Sequence, residues 1–251
     1  MEKFLSTLTC QNYRVSKNTI TFLQEKERPV VCQKMDSFYL NKRYPMGHMY
    51  HAASIKFKDD KAMQHYYNFI LANKGICVDL ASGASGYFGP ILFQLHKEME
   101  FVISDASKVM IKAHSTANLK RRNVVILDID LNQLLPIKNN SIDMYCGYLV
   151  NNVQNYIQLV QEVARTLKIS GKFVIIEWFF ESTSITANFL QKNHFLIQSL
   201  EYYICFCESI GLKLMNKELQ SQSKGKLTND LLPVDENDKK SVYILYFEKV
   251  K

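Results

Sequence analysis

The stretch VDLASGASG, Val78 to Gly86, constrains this chain more than any other. Four of the nine glycines, Gly75, Gly83, Gly86 and Gly89, fall within fifteen positions around it. A short apolar run that empties into a glycine loop and then a helix is a strand–loop–helix unit. Glycine lets the main chain approach a ligand with no Cβ in the way. In an open parallel sheet, ligands bind beyond the carboxyl ends of the strands, so this loop marks the expected site.

The rest of the chain from Gly75 onward repeats the unit. Apolar runs at residues 76–80, 101–104, 124–127, 142–146 and 173–178 read as strands, the last apolar on both sides as a buried parallel strand is. Between them lie helical patterns. One starts at Pro90, a favoured first-turn residue, with Ile91, Leu92, Leu95 and Met99 on one face. A second runs from Val109 to Leu119. A third carries Val153, Ile157, Val160, Val163, Ala164 and Leu167, with Ser170-Gly171 expected to close it. A long helical region over 187–210 ends at Gly211. Strands at 212–219 and 242–247 follow, joined by a polar loop over 220–240. Such alternation predicts an α/β fold: a doubly wound, mostly parallel sheet with helices on both faces. The first seventy residues lack the rhythm and are expected to form an N-terminal cap over the sheet. The predicted division is 1–70 for the cap and 71–251 for the sheet domain.

Composition narrows the function. With 251 residues, 47% of them hydrophobic, the chain is long enough for one full core. Lys and Arg outnumber Asp and Glu by 31 to 24. The excess is spread thinly, in small clusters such as Lys120-Arg121-Arg122, which argues for a solvated basic surface over a nucleic-acid groove. The six cysteines show no C-x-x-C pair or zinc-ligand spacing, so a reducing compartment and no metal are expected. The N-terminal residues lack the apolar core of a signal peptide, and no run reaches the roughly 18 apolar residues of a membrane helix. A soluble, cytoplasmic protein without membrane contact is the expectation.

The second strand ends on Asp105, placed to accept both hydroxyls of a ribose. The ligand that follows depends on Asp79. A dinucleotide would set its pyrophosphate against the loop and the helix N-terminus. A carboxylate just before the loop repels a pyrophosphate and favours a ligand with a cationic amino-acid group.

At these residues the chain resembles the class I S-adenosylmethionine-dependent methyltransferases, especially the small-molecule branch that includes the ubiquinone and menaquinone enzymes. VDLASGASG is similar to that family's V-L-D-L-G-C-G-T-G, with Ala81 in place of the first glycine and the last glycine one place late. SDASKVM resembles D-x-S-x-x-M. DIDLNQLLPIKNNSIDMYCGYLVNNV resembles the family's run from an acid through L-P-F into the fourth strand, and EVARTLKISGKFVIIEW resembles E-x-x-R-x-L-K-P-G-G and the fifth strand.

The resemblance implies a seven-stranded sheet with its last strand antiparallel. It implies S-adenosyl-L-methionine bound by Asp79, Ala81, Gly83, Gly86, Asp105, Ala106, Asp128, Ile129, Asp130, Gly147 and Tyr148. Asp105 takes the ribose and Ala106 lies beside the adenine, while either Asp128 or Asp130 bonds the adenine amino group. A methyl group would pass to an N, O, S or C atom of a small-molecule acceptor.

Asn151 and Asn152 stand where relatives often carry a histidine near the acceptor. A general base, where the acceptor needs one, is therefore sought in the cap, in YPMGHMYH, with Tyr44, His48 and His51 as candidates beside Tyr50. Glu177 could face the acceptor or cap a loop. Competing readings are a methyltransferase-fold binding subunit without activity, an RNA or protein methyltransferase, and, last, a dehydrogenase.

Overall fold

The computed structural model describes residues 1–9, 12–24, 28, 33, 36, 37, 40, 46–84, 86–150, 153–224 and 235–251, with backbone alone at 46–49. Its elements in chain order are α1 (Glu2–Leu5), β1 (Arg14–Ser16), β2 (Thr19–Thr21), α2 (Met46–Lys56), α3 (Lys61–Leu71), β3 (Gly75–Leu80), α4 (Gly89–Gln94), β4 (Met99–Asp105), α5 (Lys108–Ala117), β5 (Val124–Asp128), β6 (Ile142–Tyr148), α6 (Tyr156–Thr166), β7 (Leu167–Phe180), α7 (Ile185–Lys192), α8 (Leu200–Ser209), β8 (Leu212–Lys224) and β9 (Lys239–Lys249). No helix among the described residues is long and apolar enough to cross a membrane.

One sheet runs through the molecule in the order β1-β2-β5-β4-β3-β6-β7-β9-β8. The block from β2 to β7 is parallel, and β9 inserts antiparallel between β7 and β8. The chain leaves β3 toward β4 on one side and returns to β6 on the other. That makes the end of β3 the topological switch point, the place where open α/β sheets bind their ligands. The glycine loop sits there.

Side-chain alternation splits the core in two. Ile76, Val78 and Leu80 of β3 join Val102, Val125, Tyr145, Phe173 and Phe247 on the face covered by Phe4 of α1, Val160 and Val163 of α6 and Tyr203 of α8. Cys77, Phe101, Ile103, Cys146 and Val174 face the other way, under Tyr50 of α2, Tyr66 and Tyr67 of α3 and Ile91 of α4. Parallel strands buried on both faces need continuous apolar runs, which is why the sequence marked them so clearly.

Five expectations change. Among the described residues the sheet has nine strands where seven were expected, because Arg14–Ser16 and Thr19–Thr21 form a hairpin about Lys17 that extends the sheet beside β5. Three-residue polar strands leave no periodic signal. Helix α6 ends at Thr166, not at Gly171. The N–H groups of Asn140 and Ser141 donate to its last carbonyls, those of Arg165 and Thr166, and the chain passes straight into β7, which Ser170 kinks at φ +62° where the register with β6 shifts. The 187–210 region is two α-helices joined by a 3-10 turn at Leu196–Gln198. The expected loop over 220–240 is shorter, since β8 runs to Lys224 and β9 begins at Lys239. Met99 belongs to β4, beyond the end of α4 at Gln94.

Candidate active site

The loop after β3 reverses direction through left-handed backbone, with φ +48° at Ala81, +51° at Gly83 and +62° at Gly86. Gly83 and Gly86 adopt this at no steric cost, whereas Ala81 carries a penalty of roughly 1–2 kcal/mol. Strand β4 braces the turn: Ser82 N donates to the Ser104 carbonyl at 2.9 Å, and Ser104 Oγ donates to the Asp79 carbonyl at 2.6 Å.

Asp105 ties the loop to the next helix. Its Oδ2 accepts from Gly83 N at 2.8 Å and its Oδ1 from Ser107 N at 2.7 Å. Ser107 in turn caps α5 by accepting from Met110 N. The D-x-S-x-x-M pattern is thus a local device, an acid bracing the serine that starts the helix. A carboxylate has about four lone-pair positions, so Asp105 keeps acceptor capacity after these two bonds. Desolvation by burial raises it to about 6, against the pull of its amide bonds.

Asp79 lies wholly inside. The hydroxyls of Ser82 and Tyr87 donate to it, and Cys146 Sγ approaches at 3.5 Å. Burial raises it to about 7 despite those bonds. An acid at this strand end therefore has a structural task as well, joining β3, β6 and the residue after Gly86. Ionising a buried acid weakens the fold, so this contribution is complete below the unfolded value near 3.8 and lost as pH rises through 7. His114, lowered by burial to about 4, has the opposite sign: its contribution is present above 6.5 and lost as pH falls through 4.

At the end of β5 the two candidate acids diverge. Asp128 pairs with Asp105 across the sheet, and both its oxygens accept from Arg28, at 2.9 and 2.7 Å. The same guanidinium donates to the Ala106 carbonyl at 2.7 Å. Asp130 closes a turn by accepting from Asn132 N and Nδ2. Ile129 packs its side chain into the core and its N–H donates to the Asp105 carbonyl. Across β3, Gly147 pairs with Leu80. It is glycine for packing, since a Cβ would lie 2.6 Å from Val150 and 2.7 Å from Ile175. Half-buried Tyr148 stacks on Tyr87 with centroids 4.8 Å apart.

The cap candidates are less gathered. Tyr44, Asn151, Asn152 and the side chain of His48 lie outside the described residues, and His51 is exposed on α2. Glu177 is buried and accepts from Val150 N at 2.7 Å and from the Tyr156 hydroxyl at 3.0 Å, anchoring the segment after β6. Arg28, Tyr87 and His114 were not singled out from the sequence. Only His114 left a trace there, as a polar residue on the apolar face of α5 with Met110 and Ile111.

Comparison with known proteins bears on this arrangement. Residues 78–175 match the family model described as a methyltransferase domain. No curated protein matches the sequence. Among solved structures, geranyl diphosphate C-methyltransferase from Streptomyces coelicolor A3(2), in complex with Mg2+, geranyl diphosphate and S-adenosyl-L-homocysteine, superimposes with a TM-score of 0.55 at 13% identity, over 74% of this chain and 79% of its own. The YcgJ protein of Bacillus subtilis gives 0.54 at 14%, over 75% and 99%. A chain from the complex of the Haloferax volcanii Trm112 methyltransferase activator gives 0.56 at 16%, over 87% and 98%. At such identities these structures show a shared fold, and the family match covers the strands and loops that build the crevice. Residues 78–175 are thus similar to a methyltransferase domain, and the chain shares the fold of methyltransferases of known structure.

Proposed function

We propose that the chain methylates a nucleophilic N, O, S or C atom of a small-molecule acceptor, with the N-terminal region, residues 1–70, forming the acceptor side of the crevice. The observation that carries the donor half is Asp105 bonded to Gly83 while retaining acceptor capacity for a ribose. This donor set suits S-adenosylmethionine. Asp105 would hold the ribose, the Gly83–Gly86 loop would lie along the amino-acid portion, and Asp79 beneath it would favour the ammonium group. Asp130, with Asp128 engaged by Arg28, would reach the adenine edge beside Ala106. Tyr148, near Gly147, would bound the acceptor side.

The bound donor supplies a methyl group already activated by its sulfonium. The chain's own work is alignment and exclusion of water. A base is needed only where the acceptor holds its proton at neutral pH. Tyr44, His48 and His51 are the proposed sources. Replacing His51 by Ala is expected to lower turnover with donor affinity unchanged, as measured by steady-state kinetics beside calorimetry. Normal turnover would remove His51 from the role.

Titration of donor affinity tests the cationic end. Ionised Asp79 attracts the ammonium group and its neutral form does not, so affinity rises as pH rises through 7. Between pH 6 and pH 8 the ionised fraction of a group titrating at 7 grows about tenfold, and calorimetry should show a gain of that order. Asp105, titrating at about 6, adds to the acid side with the same sign. In Asp79→Asn the larger, neutral-pH part of the gain should vanish. A pH-independent affinity in the natural chain would remove Asp79 from the site.

A second reading has one observation in its favour. Arg28 occupies Asp128 and the Ala106 carbonyl, as a methyltransferase-fold binding subunit that no longer takes the donor could allow. Calorimetry with S-adenosylmethionine and S-adenosylhomocysteine separates the two, since such a subunit need bind neither.

A further inference from the structure

Tyr50 of α2 meets both ends of the glycine loop. Its carbonyl oxygen lies so close to Gly89 that a Cβ there would sit 2.5 Å away. Its ring packs on Phe88 with centroids 5.3 Å apart. Its hydroxyl is 2.6 Å from His114 Nδ1, and His114 Nε2 is 2.9 Å from the Gly83 carbonyl. One residue of the N-terminal region thus touches the loop directly at its far end and reaches its near end through a single imidazole.

The hydrogens in this chain are determined by chemistry. His114 is fully buried and held neutral at neutral pH, so it carries one N–H. The Gly83 carbonyl can only accept, which puts that hydrogen on Nε2. Nδ1 must then accept, and the Tyr50 hydroxyl is the donor it faces. Asn118 Nδ2 donates to the same hydroxyl oxygen at 3.3 Å and to the His114 carbonyl at 2.9 Å, leaving the phenolic proton directed at the ring. Gly83 is consequently gripped on both sides of its Cα, its N–H by Asp105 and its C=O by His114.

We propose that His114 is a positioning residue for the donor loop and that Tyr50 anchors its ring through Nδ1, so that helix α2 governs the form in which Gly83 meets the methyl donor. The proposal rests on the donor reading above and adds regulation to the same site. Whatever shifts α2, including an acceptor bound beside it, alters donor affinity, and the donor alters acceptor affinity by the same factor.

The test uses the full chain, with S-adenosylhomocysteine as the calorimetric ligand and hydrogen exchange at the loop amides as a readout independent of binding. His114→Gln places an amide near the Nε2 position and keeps a donor for Gly83. His114→Asn reaches Tyr50 but not Gly83. Expected are affinity within about threefold of the natural chain for His114→Gln and about tenfold weaker binding for His114→Asn, the size of one hydrogen bond. Exchange at Gly83 should speed up in His114→Asn alone of the two. Tyr50→Phe keeps the ring contact with Phe88 and should weaken binding several-fold, since Nδ1 then loses its donor and the imidazole its tether to α2.

Equal effects of Gln and Asn would reduce His114 to packing and overturn the proposal. So would Tyr50→Phe with natural affinity and natural exchange. Should the natural chain bind no S-adenosylhomocysteine, the donor reading fails, while the exchange rates still decide whether His114 and Tyr50 hold the loop.

Discussion

Asp105→Ala is expected to weaken S-adenosylmethionine binding at least a hundredfold while the chain stays folded. Three losses coincide. The ribose would lose its carboxylate partner, the Gly83 amide its acceptor at 2.8 Å, and the Ser107 amide its acceptor at 2.7 Å. Hydrogen bonds to a charged group contribute roughly 1.5–3 kcal/mol each, so two to the ribose alone amount to about 3–6 kcal/mol, on the order of 10² to 10⁴ in affinity. The fold should survive, because burial works against this acid in its ionised form and raises it to about 6. Removing it leaves the β3–β4–β5 register untouched. Asp105→Asn keeps one carbonyl acceptor and should fall between the two. Calorimetry gives the affinities and far-UV circular dichroism the fold. A natural affinity in Asp105→Ala would end the assignment of the crevice.

Arg165→Met should lower the stability of the chain substantially at a site remote from the crevice. The guanidinium donates to both oxygens of Glu162, at 2.8 and 2.7 Å, to the carbonyls of Leu135 and Ile137, at 3.0 and 2.8 Å, and to Asn139 Oδ1 at 2.6 Å. Glu162 also accepts from Leu135 N at 2.8 Å. The E-x-x-R of α6 is therefore a clamp on the loop between β5 and β6. Taking the arginine away leaves a carboxylate with 8% side-chain exposure without its cation. Breaking a buried pair costs about 3–5 kcal/mol. Arg165 is 33% exposed, so water repays part of this and about 2–3 kcal/mol is the better expectation. For a chain of this size that corresponds to a Tm lower by roughly 4–12 °C in calorimetric melting. Arg165→Lys keeps the charge without the fork and should recover part of the loss. A Tm within about 1 °C of the natural chain would contradict the clamp.

These two sites differ in how far local sequence announced them. Asp105 could be found from its position, because a parallel strand reads as an apolar run and its last residue is marked by the acid that breaks it. The Glu162–Arg165 spacing was equally visible, yet its partners, Leu135 to Asn139, lie some thirty residues away. No helical periodicity contains that information. Ser170-Gly171 shows the converse: a glycine after a helical pattern suggests a C-cap, but Ile142 of β6 pairs with Leu167 first and the helix ends at Thr166.

The order of strands, loops and helices from Gly75 onward, the glycine turn at the end of β3 and the acids at the tips of β3, β4 and β5 were all determined by the sequence alone, since each depends on residues within a few positions of one another. Tertiary structure decided who answers those acids: Arg28 for Asp128, Tyr87 and Cys146 for Asp79, and Tyr50 through His114 for the loop itself. Arg28 and Asp128 stand 100 positions apart and Tyr50 and His114 are 64 apart. A hydrogen bond across such a span exists only once the sheet has brought its strands together, so nothing in either neighbourhood could foretell it.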